Sequence, residues 1–112
     1  MSDYFDDIKK LIEENKWIEM FLKGQGYCII CGHDDPLDLE YHGPARERNI
    51  PDFLISCCRN CHGRFSRKQR YWPKESLRYK NPSDLKKAFL LLGLADVFKE
   101  KARKVFDEYG IA

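Results

Sequence analysis

Four of the five cysteines fall into two pairs of identical spacing, Cys28-Ile-Ile-Cys31 and Cys58-Arg-Asn-Cys61, with 26 residues between Cys31 and Cys58. Two-residue spacing lets both sulfurs of a pair face one ion while the amides of the intervening turn hydrogen-bond to them, and two such pairs complete a tetrahedral tetrathiolate for Zn²⁺. Gly32, directly after the first pair, supplies the backbone freedom the turn needs. The 26-residue interval is long enough to fold back and bring the pairs together. Cys57 offers a three-residue spacing to Cys61, but the symmetry of the two pairs selects Cys58 and leaves Cys57 as a small buried apolar residue. A reactive dithiol and a set of unrelated buried thiols are the alternatives. Because ligation is linked to folding, loss of zinc is expected to loosen the middle of the chain.

The three histidines also carry ligand chemistry. His42 closes the run Leu39-Glu40-Tyr41-His42, His62 follows Cys61, and His33 follows Gly32. Taken by themselves, His42 and His62 read as turn or hydrogen-bonding residues around the zinc turns. His33 reads as an exposed turn residue.

Charge is the third signal. The chain carries a net +2, yet residues 64–80 alone carry +6, from Arg64, Arg67, Lys68, Arg70, Lys74, Arg78 and Lys80 against Glu75. Phe65, Tyr71, Trp72 and Tyr79 are interleaved. Cations can replace counterions along a phosphate backbone while aromatic rings stack on bases. Arg64, Lys68 and Tyr71 recur at helical spacing. The competing reading is a solvated face, or one meeting an acidic protein, with Phe65 and Trp72 turned inward. Phosphate contacts alone produce such a composition, so it specifies no base sequence.

The elements that must position these groups are read from periodicity and breakers. Apolar residues from Tyr4 to Leu22 follow three-to-four spacing, so Asp3–Leu22 is expected as one amphipathic helix capped by Ser2 and ended by Gly24 and Gly26. Trp17 and Met20 are expected in its packing or at its edge. Short strands are expected at Leu37–His42 and Phe53–Cys57, between turn residues. A basic helix should run from Arg59 to about Tyr71, stopping before Pro73. After a connector, Asn81 is expected to cap a further helix with Pro82 in its first turn, and Gly93 to hinge two helices, a single bent helix being the alternative. The fold class is therefore α+β.

At 112 residues the chain suits one domain, divided into an N-terminal helix (1–26), a cysteine-rich core (27–72), and a connector with C-terminal helices (73–112). A core of this size gains from a metal tether. The start lacks a basic and then apolar leader, and the longest apolar run is too short to span a bilayer, so an intracellular location, cytoplasm or nucleoid, is expected without membrane association. In such a reducing setting the paired cysteines read as ligands and not as disulfides.

Residues 27–72, with C-x-x-C, then Leu39-Glu40-Tyr41-His42, then Cys58-Arg-Asn-Cys61-His62, resemble the HNH (ββα-metal, His-Me finger) nucleases that carry a four-cysteine zinc. The resemblance implies a zinc-bound ββα, treble-clef-like core flanked by the terminal helices. In that family a strand ends in a dyad whose first member binds the catalytic cation and whose second is the general base, and a residue after the last cysteine completes the metal site. His62 and the following Arg64-Phe65-Ser66-Arg67-Lys68-Gln69 match the end of the pattern. Leu39, Glu40, Ala45, Arg48 and Asn49 fall in step when His42 is the first dyad member, which places Gly43 where the base belongs. Shifting the match by one residue puts Tyr41 at the metal position, with Glu40 as the nearest acidic substitute. Asn49 is the candidate for the central asparagine.

The resemblance with the basic stretch implies a nucleic-acid-binding zinc module, DNA favoured over RNA, in which Arg64, Arg67, Lys68, Arg70, Tyr71, Trp72, Lys74 and Arg78 contact the ligand. Two alternatives stand beside it. One, which the resemblance implies, is an active metal-dependent endonuclease in which His42 and His62 hold a second divalent cation such as Mg²⁺ or Mn²⁺. The other is a small zinc subunit of a ribonucleoprotein or polymerase assembly, docked through its terminal helices.

Overall fold

The computed structural model describes residues 4–111, except for the side chains of residues 4, 5, 7 and 8. The expected cap at Ser2 lies outside the described residues. The order of elements is α1 (Tyr4–Glu14), α2 (Lys16–Leu22), β1 (Leu39–His42), β2 (Ile55–Cys58), α3 (Arg59–Gln69) and α4 (Ser83–Glu108), a mixed α/β fold. Among the described residues no helix is long and apolar enough to cross a membrane.

The N-terminal segment is two helices and not one. Asn15 breaks it: its side-chain amide donates to the Leu11 carbonyl at 2.8 Å, offering the backbone a local partner in place of a continued helix. Trp17 and Met20 lie at the edge, 70% and 73% exposed, while Leu22 turns into the core.

β1 and β2 pair antiparallel, with Leu39 opposite Cys58, Glu40 opposite Cys57, Tyr41 opposite Ser56 and His42 opposite Ile55. The first strand starts later than expected. Pro36–Asp38 form a 3-10 turn because the Asp35 carboxylate accepts from the Leu37 amide at 3.0 Å. All four residues of β2 are buried, because the first cysteine turn covers the strand and the Ile29 amide donates to the Ser56 carbonyl at 3.1 Å.

α3 follows β2 without a loop and buries Cys61, Phe65 and Gln69 on one face. Phe65, 1% exposed, joins Ile29, Ile30, Ile55, Leu94 and Val97 in one apolar cluster that also takes in Leu22. Burying such a side chain contributes about 2–3 kcal/mol.

α4 runs unbroken through Gly93, so this glycine is not a hinge. Its missing side chain admits the backbone after β1: a β-carbon at Gly93 would lie 1.7 Å from the Pro44 carbonyl oxygen. Nor does Asn81 cap the helix. Its buried amide donates to Asn49 Oδ1 at 2.8 Å and to the Glu75 carbonyl at 2.7 Å, and Asn49 in turn donates to the Ala45 and Ser76 carbonyls. Pro82, at the cap position, provides no side-chain hydrogen bond.

Candidate metal centre and histidine cleft

The four paired cysteines arrive from three directions. Cys28 and Cys31 sit on one tight turn, in which the Cys28 amide donates to the His33 carbonyl at 2.7 Å and the Gly32 amide to the Cys28 carbonyl at 2.8 Å. Gly32 takes a φ of +81°, a conformation that favours glycine. Cys58 ends β2 and caps α3, and Cys61 occupies the first turn of that helix. Their sulfurs all lie within 4.8 Å of one another, and Cys31 and Cys58 are 3.7 Å apart. Sulfurs ~2.3 Å from a common tetrahedral ion stand ~3.8 Å apart, so the set suits Zn²⁺.

The electrostatics agree with that fit. A hydrogen bond shared with Cys61, assisted by backbone amides, draws the Cys28 thiol down to about 4 and pushes Cys61 up. Burial raises Cys31. Four thiolates this close repel one another unless a cation sits between them, and the N-terminus of α3 adds a favourable field for negative sulfur. Cys57 stands apart because neighbouring strand residues point to opposite faces. It is fully buried, and burial pushes its thiol up to about 12. Cys31 is the exposed member of the four, Cys28, Cys58 and Cys61 being buried.

His42 and His62 meet on the other side of the sheet–helix junction. Their ring centroids are 5.3 Å apart, edge to face, and His42 stacks on Phe65 at 4.8 Å. His42 is buried, and desolvation, with His62 and Arg46 nearby, lowers its pKa to about 4, so the ring is neutral near neutral pH. Both histidines line a cleft of about 440 Å³ with Tyr41, Arg46 and Gln69. Glu40 joins this site: its Oε1 lies 2.9 Å from His62 Nδ1. The signal for it was the strand period, since residues 40 and 42 share a face, but only folding shows that His62 comes to meet that face. Gly43 presents no side chain here, and the Asn49 side chain is occupied by backbone carbonyls.

His33 is an exposed turn residue, as its position suggests. It pairs with Asp38 at 2.9 Å, which raises its pKa, and Asp35 lies close by.

The basic stretch divides into two groups. Lys68 and Arg64 turn toward α4, where Lys68 lies 2.9 Å and Arg64 3.8 Å from the carboxylate of buried Glu100, which Arg103 also approaches at 2.8 Å. Burial would raise the Glu100 pKa, but Arg103 and Lys68 outweigh it and hold the carboxyl below its ordinary range. Trp72 is half-buried, stacked on Phe89 at 5.7 Å with Arg46 over its ring, so it packs instead of offering a free face. Arg78 lies 3.8 Å from Glu75. By contrast Arg67, Arg70 and Lys74 are exposed and make no ion pair among the described residues, and Tyr71 is 90% exposed. Arg59, at the start of α3, lies beside the cysteine cluster with Cys31 and Cys58 and donates to the Leu37 carbonyl at 3.2 Å, while Arg70 follows the end of the helix.

The chain matches no protein-family model, no curated protein and no solved structure.

Proposed function

We propose that the chain is a nucleic-acid-binding zinc module with an HNH-like ββα core. The observation that carries this reading is the cationic end of α3 and the turn that follows it: Arg67, Arg70 and Lys74 are exposed and not neutralised by carboxylates among the described residues. Exposed, unpaired cations beside a fully exposed tyrosine suit a phosphate backbone with a base stacked on the ring. The order β1, β2, α3, with the cysteine cluster at one end and paired histidines at the other, supports the HNH-like scaffold. Zinc in this arrangement ties the first turn to α3 and takes no part in chemistry.

The test is binding of labelled single- and double-stranded DNA and RNA to the zinc-loaded protein across a salt series. Affinity is expected to fall steeply with salt and to drop strongly on combined charge reversal at Arg67, Arg70 and Lys74. Absence of binding at low salt would sink the proposal.

The convergence of His42, His62 and Glu40 favours a second reading, a metal-dependent phosphodiesterase. A carboxylate accepting from Nδ1–H leaves Nε2 of His62 free to ligate a divalent cation such as Mg²⁺ or Mn²⁺. What this site lacks is a base at position 43, and general-base catalysis is worth roughly 10² to 10⁴-fold. Incubation of supercoiled and branched DNA, and RNA, with Mg²⁺, Mn²⁺ or Ni²⁺ decides between the two. Nicking that disappears in the His42→Ala, His62→Ala protein establishes the enzyme.

A further inference from the structure

Beyond Glu100 no described residue of α4 is buried, yet the helix continues to Glu108. Along one face Leu91, Ala95, Phe98, Ala102, Val105 and Tyr109 succeed one another at intervals of four, three, four, three and four. That alternation is the seam of a helix packed lengthwise against another helix. The chain covers the seam only toward its start. Leu91 faces an apolar groove shared with Ile12 and Leu22, and Phe98 lies 6.2 Å from the Phe21 ring. Farther along, Val105 is 36% and Tyr109 79% exposed, with Phe106 beside them at 50%.

The residues flanking the seam say what covers it. Lys101 precedes Ala102 and Glu108 precedes Tyr109, so both occupy the same flanking position one heptad apart. In an antiparallel pair of identical helices those positions face each other, bringing Lys101 of each copy against Glu108 of the other. The same alignment sets Ala102 against Val105 of the partner copy, a small residue facing a larger one in the central layers. A parallel pair would set Lys101 against Phe106 and form no such ion pair. Within the chain, the Lys101 ammonium is held beside the seam by the Ile30 carbonyl at 3.2 Å, and Glu108 has no ion-pair partner among the described residues.

We propose that the C-terminal half of α4 is a self-association surface on which two copies of the chain pair antiparallel about a twofold axis. The surface is remote in sequence from the cysteine cluster and the histidine cleft, and Lys101 links it to the first cysteine turn through the Ile30 carbonyl.

Sedimentation equilibrium of the zinc-loaded full chain tests this over a range of concentrations. A reversible monomer–dimer equilibrium is expected, weakened at least about tenfold by Val105→Glu, which puts a charge into the seam. Lys101→Glu and Glu108→Lys should each weaken it, and the double exchange should restore it. Far-UV circular dichroism of each variant reports whether the fold is retained. A monomer at every concentration, or a dimer indifferent to Val105→Glu, would overturn the proposal. Failure of the double exchange to restore association would overturn the antiparallel arrangement. A photoreactive residue at position 105 that cross-links in cells to a different protein, with no product at the dimer mass, would also overturn it.

Discussion

Gly93, midway along α4, packs so closely on the carbonyl of Pro44 that a β-carbon would stand 1.7 Å from the oxygen. Pro44 lies two residues after His42, and Gln69 of α3 donates to the Gly43 and Pro44 carbonyls from the other side. The turn that carries the histidine cleft is thus gripped between two helices. Gly93→Ala must push helix and turn apart, at a cost of roughly 3 kcal/mol or more. Denaturant unfolding measures it, and a loss below about 1 kcal/mol would mean that the contact relaxes freely.

The opposite faces of Cys57 and Cys58 separate a ligand from a core residue. Cys61→Ser or Cys31→Ser is expected to abolish stoichiometric zinc in elemental analysis and to loosen residues 27–63, because metal binding and folding are linked here. Cys57→Ala should keep one zinc per chain and cost only about 1 kcal/mol for the small cavity. Zinc lost from Cys57→Ala and retained in a Cys58→Ser protein would reverse the assignment.

Buried His42 makes stability depend on pH. Its folded pKa of about 4 lies below the ordinary 6.5, so the unfolded chain takes up the proton first as the solution is acidified. The full contribution is present above pH 6.5, and stability declines as pH falls from 6.5 toward 4, by on the order of 3 kcal/mol. Cysteine protonation adds its own acid sensitivity, so the comparison is with His42→Phe, which should show a shallower slope across that window. Parallel slopes would remove the histidine from the account.

Two neighbouring cations of α3 should behave differently. Lys68 is half-buried and 2.9 Å from Glu100, whereas Arg67 is exposed and unpaired among the described residues. Lys68→Ala is expected to cost about 1 kcal/mol of stability, and Arg67→Ala less than about 0.5 kcal/mol. In nucleic-acid titrations the order reverses, with Arg67→Ala the more damaging change and the one that reduces the salt dependence. Equal effects of both on binding would mean that Glu100 does not withhold Lys68 from the ligand.

The four-cysteine cluster was the most legible part of the chain, because its information is local. A C-x-x-C turn places two sulfurs by itself, and the strand-to-helix step at Cys58 positions the second pair over only four residues. The mixed class of helices and strands, the presence of two strands, each starting two residues later than expected, and the start of α3 followed from periodicity and breakers for the same reason. The errors fall where a residue has both a local and a distant use. Asn81 and Gly93 have strong local meanings, helix cap and hinge, and tertiary contacts with Asn49 and Pro44 overrode both.

The amino-acid order alone determined which groups carry charge or lone pairs, and which of them recur on one strand or helix face. The tertiary structure decided which of those groups meet. It brought Glu40 to His62 across 22 positions, turned Lys68 inward to Glu100, stacked Trp72 on Phe89, and left Arg67 and Arg70 in solvent. The physical reason is that ligand spacing and helix or strand period are properties of a few adjacent residues, whereas pairing and burial depend on which surfaces the folded chain lays against one another.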